Sequence, residues 1–179
     1  MDYEASGTCR RGRKIDMTLF RRIGGLYSSA SVALKTLRSP LLLAIRLSWG
    51  WQFAEDGWGK LHNLDKVTNF FTSLNLPQPH MTAVLVSLIE LVGGILLGLG
   101  LFTRLTALVL FVNMTVAYIT AEPDAFKAIF TDPDKFSSAT AYNYWFVSLI
   151  LLIFGPGSLA LDTLFGRVLK LERDKPALP

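Results

Sequence analysis

One apolar run does most to limit what this chain can become: Met81 to Phe102, interrupted by a single charge, Glu90. At ~1.5 Å per residue that run reaches the ~30 Å of a bilayer's hydrocarbon core. A carboxylate at that depth costs roughly 2.5–3.5 kcal/mol on insertion scales, so the helix must turn it toward a partner or a polar cavity. Glu90, Gly94 and Gly98 recur at i, i+4 and i+8, which places them on one stripe. The acid therefore sits on the face where a second helix can come close.

Three further segments have the length and apolarity to cross: Pro40 to Gly59, Leu105 to Ala121, and Ala141 to Phe154 with some extension at its N-terminal end. The last two are short, so Tyr118, Tyr142, Tyr144 and Trp145 are expected to anchor their ends at the interface. Almost no loop separates the second span from the third, which makes them an antiparallel hairpin. Pro40 suits a first helical turn, and Gly155-Pro156-Gly157 stops the last helix. The expected fold is all-α, a transmembrane four-helix bundle, with an arm over 1–39, a membrane domain over 40–165 and a tail over 166–179. Charged residues at 18% and a mean hydropathy of +0.38 agree with that class. A single cysteine, Cys9, excludes a disulfide framework and an iron–sulfur site. Two histidines, His62 and His80, leave no internal metal centre to expect.

Basic residues set the orientation. With both ends on one side, that side carries eight before Pro40, then Arg104 and four after Asp162, thirteen in all. The other side carries Lys60, Lys66, Lys127 and Lys135. The positive-inside rule then puts both termini in the cytoplasm, N-in/C-in, in a bacterial-type plasma (inner) membrane. The arm lacks the apolar stretch of a cleavable signal peptide. Its Leu19, Ile23, Leu26, Ala30, Leu34 and Leu37 recur at helical spacing among Arg21, Arg22, Lys35 and Arg38. This pattern predicts a basic amphipathic helix on anionic inner-leaflet lipid. The net charge of +4 is accounted for by topology and lipid, with no nucleic-acid partner.

Helical rise places Arg46 ~9 Å, Asn113 ~12 Å and Glu90 ~16 Å from the cytoplasmic boundary. Gln52 lies a little further out, and Asn143 and Tyr144 approach the same level. Arg46, Gln52, Glu90 and Asn113 are the candidate binding residues, with Glu90 and Arg46 the candidate catalytic pair. Side chains tilt toward a helix's N-terminus, which sends Arg46 and Glu90 apart on antiparallel helices. Arg46 either meets Glu90 regardless or snorkels to the headgroups. Glu90 at the midplane suits a proton or quinol relay, and a structural hydrogen bond to Asn113 or Gln52 accounts for it equally well. Glu55, Asp56, Lys60 and His62 read as a solvated helix end, with acids or cation ligands beside a quinone headgroup as the other reading. Trp49, Trp51 and Trp58 read as packing or lipid-facing aromatics. Val67, Phe70, Phe71 and Leu74, and in another loop Phe126, Ile129 and Phe130, read as amphipathic pieces along the outer interface. Gly94-x-x-x-Gly98 serves close packing inside the bundle or between subunits.

The chain resembles the DoxX-like four-helix membrane proteins from about Leu41 to Asp162. The resemblance is carried by Ile45-Arg46-Leu47 with Trp49-Gly50, Gly57-Trp58-Gly59-Lys60-Leu61, Phe70-Phe71, and Leu74 to Pro79. It continues through Glu90-Leu91-Val92-Gly93-Gly94, Gly98 to Arg104, and Gly155 to Asp162. It implies a four-span inner-membrane protein, with relatives among the small subunits of a thiosulfate:quinone oxidoreductase. Other relatives join a membrane complex with superoxide dismutase and a sulfurtransferase. With no bundle cysteine for sulfur chemistry, electrons would come from a partner subunit or the quinone itself, and no intrinsic cofactor is expected. Two non-redox readings stand beside this: a membrane anchor for soluble partners, and a small-solute or proton transporter. A homo-oligomer is compatible with all three.

Overall fold

The computed structural model describes residues 36–164; the basic arm up to residue 35 and residues 165–179, the tail among them, lie outside the described residues. The chain divides into two compact units, Met1–Ser39 and Pro40–Pro179. The first helix, α1, is described from residue 36 to residue 62. After it come α2 (Leu64–Ser73), α3 (Pro79–Leu99), α4 (Thr103–Ala121), α5 (Pro123–Lys127), a 3-10 turn (Ala128–Phe130), α6 (Pro133–Ser137) and α7 (Thr140–Phe154). Among the described residues every regular element is helical.

Local chemistry sets these ends. Pro79 opens α3, where a missing N–H costs nothing. Gly100, at φ 73°, closes α3 in the left-handed conformation and returns its N–H to Leu96 and Leu97. Several ends differ from expectation. α1 is already helical at residue 36 and continues to residue 62, so neither Pro40 nor Gly59 bounds it, and α7 gains only Thr140 at its N-terminal end.

Two helices, α3 and α4, are long and apolar enough to cross a membrane, with mean hydropathies of 2.2 and 1.5 in their most apolar stretches. Only 33% and 28% of those stretches are buried inside the protein. Leu85, Leu88, Val92 and Ile95 on α3, and Leu108, Val112, Val116 and Ile119 on α4, point outward. The apolarity is thus mostly spent on an exterior surface, which a water-soluble core helix does not do. At 15 residues α7 reaches only ~22 Å.

One core cluster draws on α1, α3, α4 and α7 through Leu42, Phe53, Leu97, Leu110, Met114 and Leu151. A second, Tyr118, Phe136 and Ala139, holds Phe126 and Ile129. Phe130 does not join them: the 3-10 turn leaves it 92% exposed. α1 and α3 touch backbone to backbone. A Cβ on Gly94 would stand 2.6 Å from the Gly50 oxygen, and one on Gly57 would stand 2.6 Å from the Ser87 oxygen. Gly94 therefore serves packing within the chain, whereas a Cβ on Gly98 meets nothing within 4 Å.

At the end of the helices bearing the α3–α4 turn, the segment after α7 folds back onto that turn. Asp162 accepts hydrogen bonds from Phe102 N (2.7 Å), Thr103 N (2.8 Å) and Thr103 Oγ1 (3.0 Å). Its own N–H donates to the Gly100 oxygen at 3.0 Å. These contacts hold Phe102 at φ 48°, a conformation a bulky residue rarely adopts. Asp162 acts as an N-cap for α4 supplied sixty positions later in sequence, and its charge favours the helix N-terminus. Asp162→Ala is expected to cost about 1–2 kcal/mol and Asp162→Asn less, read as thermal midpoints in detergent; equal midpoints for Asp162→Ala and wild type would refute the capping role.

Candidate functional site

α1, α3, α4 and α7 bring together a polar cluster at the middle of α3 and α4, well away from the α3–α4 turn. Its centre is Glu90, 1% exposed, which forms an ion pair with Lys60 of α1. Asn113 of α4 donates to the other Glu90 oxygen over a long 3.4 Å. Asp56, four residues before Lys60, lies close enough for its charge to act on both Glu90 and the Tyr144 hydroxyl. Tyr144 is fixed by edge-on contacts with Phe53 (centroids 4.8 Å) and Trp49 (5.3 Å). The adjacent Trp145 ties α7 to α4 by donating to Thr115 Oγ1 at 3.0 Å.

The geometry follows from the tilt of helical side chains toward their N-termini. Lys60, near the C-terminal end of α1, leans back along the helix, while Glu90 on antiparallel α3 leans to meet it. Arg46, fourteen residues earlier, is carried toward the other end. It is fully buried and donates from Nη2 to the Leu159 oxygen at 2.7 Å, near the charge of Asp162. Arg46 and Glu90 are therefore not partners: Arg46 is engaged beside the α3–α4 turn and Glu90 by Lys60 at the middle of α3.

A cavity of about 800 Å³ opens beside the cluster. Asp56, Lys60, Glu90, Asn113 and Tyr144 line its polar part on the side of the cluster, and Lys66 and Glu122 also line it. Val67, Phe70 and Phe71 of α2 and Leu74 at its C-cap, with Val116 and Ala117 of α4, line its apolar part. The α2 stretch that reads in sequence as plain interfacial packing is thus a wall of the cavity. Of the four candidate binding residues, the structure brings Glu90 and Asn113 together here and places Arg46 at the far turn. Gln52 is exposed on the outward side of α1, and Asn143 is exposed as well. Asp56 and Lys60 belong to the cluster rather than to a merely solvated helix end. A signal for them existed: Phe53, Gly57 and Lys60 succeed one another at helical spacing, with Asp56 one turn before Lys60. Three donors (Lys60 Nζ, Asn113 Nδ2 and Tyr144 Oη) and two carboxylates at the end of an apolar pocket can grip a neutral polar headgroup and exchange protons with it.

The chain is 31% identical over 120 residues to a Bacillus subtilis protein named "Putative oxidoreductase CatD", covering 67% of this chain and 83% of that protein. The sequence pattern of the DoxX family matches residues 41–123. The chain belongs to the DoxX family. A second DoxX-family relative is "Inner membrane protein YphA" of Escherichia coli (strain K12), 29% identical over 126 residues, 70% of this chain and 90% of that protein. No solved structure matches the chain. The matched span of this DoxX-family membrane protein holds Asp56, Lys60, Glu90 and Asn113 and stops short of Tyr144.

Proposed function

We propose that this DoxX-family protein is a four-helix integral protein of the bacterial inner membrane, N-in/C-in, and a subunit of a membrane redox complex that holds a quinone headgroup in the cavity. In this reading α1, α3, α4 and α7 cross the membrane, and the cavity opens toward its outer face. The observation that carries the proposal is the acid–base set Asp56, Lys60, Glu90, Asn113 and Tyr144 at one end of an apolar-walled cavity of about 800 Å³. The location is supported by the name of YphA, and the redox setting by the name of CatD.

The residues fit such a headgroup. Lys60, Asn113 and the Tyr144 hydroxyl would hold it by donating hydrogen bonds to its oxygens. Glu90 and Asp56 can hold and release protons at the oxygens they face, and the α2 wall covers an apolar tail. A bound quinone would supply the two-electron, two-proton couple. The chain supplies position, proton sites and exclusion of water. The electrons enter from a partner subunit.

The test is quinone analysis of protein purified in mild detergent. Wild type should retain quinone, and Glu90→Gln and Tyr144→Phe should each lower the bound fraction about tenfold, the equivalent of one good hydrogen bond, at unchanged yield in the membrane. Wild type free of quinone, with a soluble protein in stoichiometric amount, would favour the membrane anchor and sink the proposal.

A further inference from the structure

The face of α1 turned away from the cavity carries polar residues where lipid should be. Ser48, Trp51, Gln52, Glu55 and Trp58 are all exposed, with Trp51 at 72%. With α1 crossing the membrane, a premise taken from the proposed function, and Gly57 packed at the level of Ser87 and Leu91 beside Glu90, Gln52 and Glu55 stand roughly 9 and 13 Å into a core of ~30 Å. Acidic and amide side chains inside a membrane almost always face protein or water. Within one copy Gln52 and Glu55 are turned outward, away from the core.

Beside that face runs a groove of about 530 Å³ between α1 and α3. Leu47, Trp51 and Trp58 form one wall and Ile95 and Leu99 the other. Its floor is made of glycines, and over Gly98 there is open space for a side chain. It is nearly all apolar, with Glu55 the charged residue in its lining. An indole ring has the size and character to fill it.

We infer that this face binds a second copy of the chain, α1 against α1, around a two-fold axis along the membrane normal. Two copies inserted the same way present α1 in parallel, so each residue meets its counterpart or a residue one turn away. Residues 48, 51, 55 and 58 alternate by three and four, the spacing of a left-handed helix pair. The Gln52 amide then donates to the Glu55 carboxylate across the axis and the relation is returned, so each of these polar groups gains one partner in the other copy. Trp51 of each copy enters the other's groove. A lipid chain could fill the groove but offers no donor to Glu55 at that depth. The same face leaves the cavity on the other side of α1 open.

Disulfide cross-linking in native membranes tests this, with Cys9→Ser as background. Ser48→Cys and Trp51→Cys should each give a covalent dimer on mild oxidation. Val112→Cys, exposed on α4, should not. Absence of a dimer from the α1 cysteines, or an equal yield at Val112, overturns the inference. Ready reaction of the Ser48→Cys protein with a water-soluble maleimide would instead overturn the membrane span of α1 on which it rests. Gln52→Leu combined with Glu55→Leu should raise the dimer's dissociation constant in mild detergent at least tenfold; an unchanged constant refutes the reciprocal hydrogen bonds.

Discussion

Lys60→Met should destabilise the protein by roughly 3 kcal/mol, the low end of what breaking a buried ion pair costs. Glu90→Gln, which removes the other half of the same pair, should cost about 1 kcal/mol or less. The asymmetry comes from burial. Glu90 is 1% exposed and would keep only its long hydrogen bond from Asn113. The Lys60 side chain is 36% exposed and can swing its ammonium back to water. The double variant Lys60→Met with Glu90→Leu should recover most of the loss, because an apolar pair of similar size is often neutral in place of a buried ion pair. Unfolding midpoints in detergent for the wild type and these variants give the coupling directly. If Lys60→Met and Glu90→Gln cost the same, Glu90 is not dependent on Lys60 and the geometry is wrong.

The second large effect divides the glycines. Gly57→Ala and Gly94→Ala should each cost roughly 2–3 kcal/mol, because the added methyl meets backbone that cannot rotate aside. On Gly94 it would press on the Gly50 oxygen at 2.6 Å, and on Gly57 against the Leu91 Cα at 2.9 Å. Gly98→Ala, with nothing within 4 Å, should be neutral or stabilising by up to ~1 kcal/mol through helix propensity. One Gly-x-x-x-Gly motif thus has one member that excludes a methyl and one that accepts it. Forcing α1 from α3 also draws Lys60 from Glu90, so under the proposed function Gly57→Ala should weaken quinone retention as well as stability. A Gly94→Ala protein as stable as Gly98→Ala would refute the close approach.

Much of this is legible in the sequence. Apolar length locates the helices, and Gly155 marks the end of the last one, because such a signal acts over a few residues of chain; Pro40 does not mark the start of α1, which is already helical at residue 36. The cost of a charge in hydrocarbon singles out Glu90, and the ordered motifs from Ile45-Arg46-Leu47 to Asp162 point to the DoxX family. The tilt of side chains already warns against Arg46 as the partner. It does not identify Lys60, because Gly59 looks like the end of the span and α1 in fact continues past it.

What the tertiary structure alone decided is who meets whom. Lys60 and Glu90 are thirty positions apart, and Phe102 and Asp162 sixty; their pairing depends on the register and closeness of different helices. Backbone contact at Gly50, Gly57 and Gly94 sets that register, and no pattern within one helix encodes it. The sequence by itself determined that Glu90 needed a polar partner, since the desolvation cost is a property of the residue and its depth. That the partner is Lys60, beside a cavity walled by α2, comes only from how the helices pack.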